Sequence, residues 1–117
     1  MNDVELLKNK KLIAKFMGLT IITDGISWFD TSYKGLKKYN ESWDYLMPVL
    51  EKIEENYYTE ILGTNTKNDN SYIMNIFDYN GKFIFDPHSH KSKLELVFIT
   101  IVDFIKWHNK NKVNETN

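Results

Sequence analysis

The sequence predicts an α+β domain in which three helices pack on an antiparallel sheet of three to four strands. Three observations predict it. Apolar residues recur at helical spacing in three separated stretches, near the start, the middle and the end of the chain. Between the second and third lie short β-branched and aromatic runs bounded by Gly, Asn and Asp. Strands grouped between helices, rather than alternating with them, favour an antiparallel sheet with helices on one face. At 117 residues and 42% apolar composition the chain is read as one domain, residues 1–117, able to bury its own core.

Residues 3 to 17 read as the first helix. Asn2 or Asp3 caps it, Glu5 is placed to close a capping box, and Gly18 suits a left-handed C-cap. Leu6, Ile13 and Met17 form an apolar stripe, with Leu12 and Phe16 beside it and Lys8, Lys10, Lys11 and Lys15 on a solvated face. Residues 19 to 23 are a fourth strand candidate. The stretch 24–40 shows no period, yet carries Trp28, Phe29, Tyr33 and Tyr39. Aromatic density in an irregular loop points to an exposed binding surface or to a cover for the open sheet.

The middle helix, 42–54, is the expected organiser of the fold. Ser42 is a good N-cap, Asp44 suits the positive end of the helix, and Trp43, Leu46, Leu50 and Ile53 form its apolar stripe. Pro48 opposes the carbonyl of Asp44, which predicts either a tight turn followed by a helix from Met47 or one kinked helix. Three strands follow, at 57–62, 71–77 and 82–86. Asn80-Gly81 is the hairpin signal joining the last two. The last helix starts near Ser89 or Ser92, where S-K-L-E fits a capping box with Glu95 reaching back to the cap amide. Leu94, Val97, Phe98, Ile101, Phe104 and Ile105 give it a wide apolar face, and the polar tail 110–117 is expected to fray.

Composition narrows the function. Net charge is −1, so nothing in the balance of charge points to DNA or to an anionic membrane. The absence of cysteine excludes disulfides, thiolate zinc sites and cysteine nucleophiles. No apolar run reaches the roughly 20 residues that span a bilayer, and the polar N-terminus is unlike a secretory signal; a cytoplasmic protein is expected. All 15 basic residues are lysine. Without arginine there is no bidentate fork for phosphate, carboxylate or guanine, which lowers the odds of phosphoryl transfer and of sequence-specific DNA binding. No phosphate-binding, dinucleotide-binding or serine-hydrolase motif occurs, and no cofactor is expected.

One cluster resembles a metal site. Asp86, His88 and His90 offer a carboxylate and two imidazoles, a set that suits zinc or iron(II), with His108 a possible third imidazole. A polar linker entering a helix explains the same residues without a metal. Glu51, Glu54, Glu55 and Glu60 offer carboxylates for acid–base work, but no pair is singled out, and Glu51 and Glu55 simply share an outer helix face. Asp103 sits among apolar neighbours, although the helical pattern allows it to face outward.

Three blocks, K-L-I-A-K-F-M-G (11–18), S-W-D-Y-L-M-P-V-L-E-K-I-E (42–54) and V-D-F-I-K-W-H-N (102–109), together resemble a recurrent family of small proteins. The family occurs in bacterial genomes, prophages and phages, mostly without an assigned function, and usually has tyrosine where this chain has His108. The resemblance carries over no catalytic residue. The setting it implies is that of a non-enzymatic inhibitor of host defence, in its sharpest form an anti-CRISPR protein bound to an RNA-guided nuclease. On this reading Trp28, Phe29, Tyr33 and Tyr39, with Lys37 and Lys38, form the interface. The alternatives are a sponge for a nucleotide signal, with Lys34, Lys37 and Lys38 meeting phosphates, and a metal-dependent enzyme using Asp86, His88 and His90.

Overall fold

A computed structural model describes residues 2–18, 39–66 and 69–115. The element order is α1 (Asp3–Phe16), α2 (Trp43–Glu54), β1 (Tyr58–Thr66), β2 (Asp69–Phe77), β3 (His88–His90) and α3 (Lys93–Glu115). The three strands form one antiparallel sheet in the order β1-β2-β3, so the α+β class is as predicted. The fourth strand candidate, 19–23, lies outside the described residues.

The helix starts follow from local chemistry. Asn2 Oδ1 accepts the Glu5 amide at 2.8 Å and opens α1, and Gly18, at φ +83°, takes the left-handed position past its end. Ser92 Oγ accepts the Glu95 amide at 3.2 Å and opens α3. Ser42 stands at the N-cap of α2 in an extended conformation, but its hydroxyl makes no cap bond; its carbonyl starts the helix, accepting from Leu46 at 3.1 Å. Pro48 lies inside one continuous helix rather than ending a separate turn. Placed early in the helix, it removes only the bond to the Asp44 carbonyl, near the end that faces solvent.

The core is built on α3 rather than on α2. Leu96, Val97, Phe98, Ile101, Val102, Phe104 and Ile105 are all buried, and the helix packs against α1, α2, β2 and β3. Leu96 and Val102 broaden the apolar face expected of it. No glycine or proline follows Pro87, and the helix continues to Glu115 through the tail expected to fray. From α2 come Leu46, Val49, Leu50 and Ile53; Trp43, expected in that stripe, is instead on the surface. From α1 come Ile13 and Ala14, and Lys10 is buried rather than solvated like Lys8 and Lys15. Met74 and Ile76 project inward from the sheet.

The third strand differs most from expectation. After β2 the chain turns through Tyr79, Asn80 and Gly81, with Gly81 at φ +79° and Asp78 Oδ1 accepting the amides of Asn80 and Lys82. The turn therefore has three residues rather than the two of a tight Asn-Gly hairpin. Beyond it the return strand makes only one bridge, Phe83 to Phe77, before pairing resumes at His88 opposite Met74. Three steps along β2 face five along the returning chain, so two extra residues bulge out within 84–87. Pro87 has no amide to give to a ladder, which breaks the strand predicted at 82–86 and moves it to His88–His90.

Candidate functional site

Of the residues predicted to form the interface, the structure describes Tyr39 alone. Tyr39 is only 5% exposed and belongs to the hydrophobic core, where burial pushes its phenol above the ordinary value. It is a packing residue, not a surface anchor. Trp28, Phe29, Tyr33, Lys34, Lys37 and Lys38 lie outside the described residues.

The histidines of D-P-H-S-H are brought to a helix rather than to each other's ligand sphere. Placed two apart on β3, His88 and His90 share the sheet face that looks toward α3, opposite Met74 and Tyr72. His88 Nε2 contacts Asp103 Oδ2, and His90 Nε2 lies 3.2 Å from Glu95 Oε2. His90 Nδ1 accepts the Ser92 amide at 2.9 Å, which places its proton on Nε2, toward Glu95. The imidazole thus takes the cap amide that Glu95 was expected to satisfy. Two imidazole–carboxylate pairs clasp a three-residue edge strand onto the main helix. Asp86 is exposed and enters neither pair. Among the described residues no three His, Asp or Glu side chains gather in a metal-holding arrangement. His108 stacks on Phe104 and meets Phe16 edge-on, inside an aromatic cluster with Tyr57 and Trp107.

A different surface has the character of an interface. On α2 the buried positions Leu46, Val49, Leu50 and Ile53 leave Trp43, Asp44, Met47, Glu51, Glu54 and Glu55 along the outer side. Lys52, between Glu51 and Glu54 in sequence, leans toward α1 rather than onto these carboxylates, donating to the Phe16 carbonyl and standing 4.7 Å over the Phe16 ring. Glu51 and Glu55, one turn apart, repel.

The acidic face continues onto aromatic surface. Tyr79 donates to the Glu55 carbonyl at 3.0 Å, and its ring meets Tyr58 edge-on at 5.8 Å. Tyr58 pairs across the sheet with Phe77, whose ring lies 4.7 Å from that of Phe83. Tyr58, Tyr79 and Phe83 are each more than half exposed, and Leu62 stands on the same outer sheet face. Trp43 and Met47 extend the apolar component along α2. The sequence places Glu51 and Glu55 on an outer helix face and does not single out the aromatic residues of the strands. The outward side of a strand carries the same alternation as the inward side, so the period alone does not say which face is covered.

No protein-family model matches the chain, and no curated protein or solved structure is significantly similar to it. Among the described residues no helix is long and apolar enough to cross a membrane.

Proposed function

We propose that the protein is a non-enzymatic interaction protein that works by seating its aromatic–acidic surface on a basic surface of a partner. One observation carries this reading: exposed Tyr58, Tyr79 and Phe83 lie on the outer sheet side, and Tyr79 is tied by a hydrogen bond to the Glu55 carbonyl at the end of the carboxylate-bearing helix α2. Aromatic anchors dominate the energetics of interfaces. A line of carboxylates steers approach to a positive surface and disfavours neutral or acidic ones. Scattered exposed apolar residues are ordinary on any protein, but contiguous ones mark binding sites.

The inhibitor of an RNA-guided nuclease suggested by family resemblance is a case that this surface suits. Such nucleases hold their guide–target duplex in a positively charged channel, recognised by backbone and shape. An acidic helix flanked by aromatic rings competes for such a channel without chemistry of its own, acting in the cytoplasm of the host. The surface used is α2 with the outer sheet face; of the loop anchors expected from sequence only Tyr39 is excluded, by its burial.

The test is a pull-down of tagged protein from lysate of its natural host, with and without ribonuclease. Recovery of a nucleic-acid-binding complex that persists, or strengthens, once RNA is digested supports competition for the basic channel. Recovery of nothing but the monomeric bait contradicts the reading.

A further inference from the structure

The outward rows of β1 and β2, over 58–62 and 73–77, set one carboxylate among apolar side chains. Met74 and Ile76 point into the core, so by alternation Ile73, Asn75 and Phe77 point outward, with their cross-strand partners Leu62, Glu60 and Tyr58. Glu60 is exposed and lies between exposed Tyr58 and Leu62 in this row. Phe77 is diagonal to it across the strand pair, within reach of a long side chain.

Glu60 is held in place but not paired with a cation. Asn75, directly opposite and only 7% exposed, donates from Nδ2 to Glu60 Oε1 at 2.8 Å. A carboxylate accepts about four hydrogen bonds, so Oε2 and a position on Oε1 stay open. Asn75 limits the rotamers of an otherwise mobile side chain, and a group ordered in advance costs less to bind. The ion pairs among the described residues, His88 with Asp103 and His90 with Glu95, leave Glu60 out. If a partner covers Tyr58, Leu62 and Phe83, as the interaction reading requires, it covers Glu60 with them. A carboxylate taken out of water without a partner is strongly unfavourable. The covering surface must therefore bring a cation to this point.

We infer that an arginine side chain of a protein partner fills this position, its guanidinium forked onto the Glu60 carboxylate and its plane laid on the Tyr58 ring. The inference rests on the interaction reading and specifies its anchor. A guanidinium is planar, meets a carboxylate with two parallel N–H donors and stacks on aromatic faces, whereas an ammonium is a compact charge that holds its water more tightly. On a surface made largely of rings, with Leu62 and Ile73 beside them, that difference favours arginine. This chain has no arginine, so a second copy cannot supply the group and the occupant is a different protein. A nucleic acid would set phosphate against the carboxylate. The roles of the two acidic regions then separate. The α2 carboxylates, on the solvated rim, steer approach; Glu60, ringed by apolar side chains that exclude water, holds the complex once formed.

The test is titration of the full chain, followed by calorimetry and amide NMR, with three acetylated and amidated peptides. Each has two lysines on either side of a central arginine, lysine or citrulline. The arginine peptide is expected to bind about tenfold more tightly than the other two, the size of one charge-assisted hydrogen bond, and to shift the amides of Tyr58, Glu60, Asn75 and Phe77. Glu60→Gln keeps an acceptor for Asn75 Nδ2 and removes the charge; it is expected to abolish the preference, and Tyr58→Leu to reduce it. Glu51→Lys/Glu55→Lys is expected to weaken all three peptides and to leave the preference intact. Equal affinity for the arginine and lysine peptides, or a preference that survives Glu60→Gln, overturns the arginine anchor; if the α2 substitutions still weaken both peptides, the interaction reading stands without it. Absence of binding by all three contradicts both.

Discussion

Tyr39 carries a consequence for stability at alkaline pH. Burial raises its phenol above the ordinary value near 10. Below that value the side chain is neutral in both folded and unfolded chains, and its packing contribution is fully present. As pH climbs past it the unfolded chain ionises first, so stability is lost until the folded phenol ionises too. Tyr39→Phe is expected to flatten this alkaline fall, seen as a smaller drop in urea midpoint between about pH 9 and 11; an unchanged slope would show that the phenol is not protected. Thr100 is fully buried in α3, and its hydroxyl has no hydrogen-bond partner among the described residues. Thr100→Val, nearly isosteric, is expected to stabilise by about 1 kcal/mol and to raise Tm by roughly 4 °C, read by thermal unfolding; a loss of stability would mean the hydroxyl has a partner in solution. Neither residue was legible beforehand. Tyr39 ends a stretch without period, and Thr100 fits a helix pattern equally well on either side. His88 and Asp103 were each noticed alone, but a contact between a strand and a helix fifteen residues on leaves no local spacing to read.

At the scale of elements, helix starts were the most legible feature, because a cap is decided by a few adjacent residues. Ser92 was one of two starts considered for α3 and is the one used; Ser92→Ala is expected to cost about 1 kcal/mol, with Ser92→Asp retaining most of the stability. Equal Tm values for Ser92→Ala and the parent would contradict the cap, whose amide side is held by His90. The third strand was misplaced for an equally local reason. Phe83, Ile84 and Phe85 alternate as a strand should, but Pro87 and the two-residue bulge before it are incompatible with continued pairing. Trp43 was assigned to the buried stripe because its spacing allows it; it lies at the border of that stripe, and the core is closed by Val49 instead.

At the scale of the whole molecule, the order of helices and strands was enough to give the fold class, since helices grouped around consecutive strands leave few architectures. Which helix sits at the centre was not readable, because α2 and α3 both have apolar faces and it is contact with α1, β2 and β3 that distinguishes α3. Charge is also distributed unevenly. Between positions 41 and 60 lie Glu41, Asp44, Glu51, Glu54, Glu55 and Glu60 against Lys52 alone, although the chain as a whole is nearly neutral. The formal charge of −1 therefore hid an acidic surface beside exposed aromatic rings. The most direct test of that surface is the ribonuclease-treated pull-down repeated with Glu51→Lys/Glu55→Lys and with Tyr58→Ala/Tyr79→Ala, each checked for an intact fold by its amide spectrum. Exposed positions of this kind tolerate substitution to within about 0.5 kcal/mol. The account predicts that the parent retains its partner at about 0.15 M salt and that both variants release it. Retention by both variants at the level of the parent would contradict it.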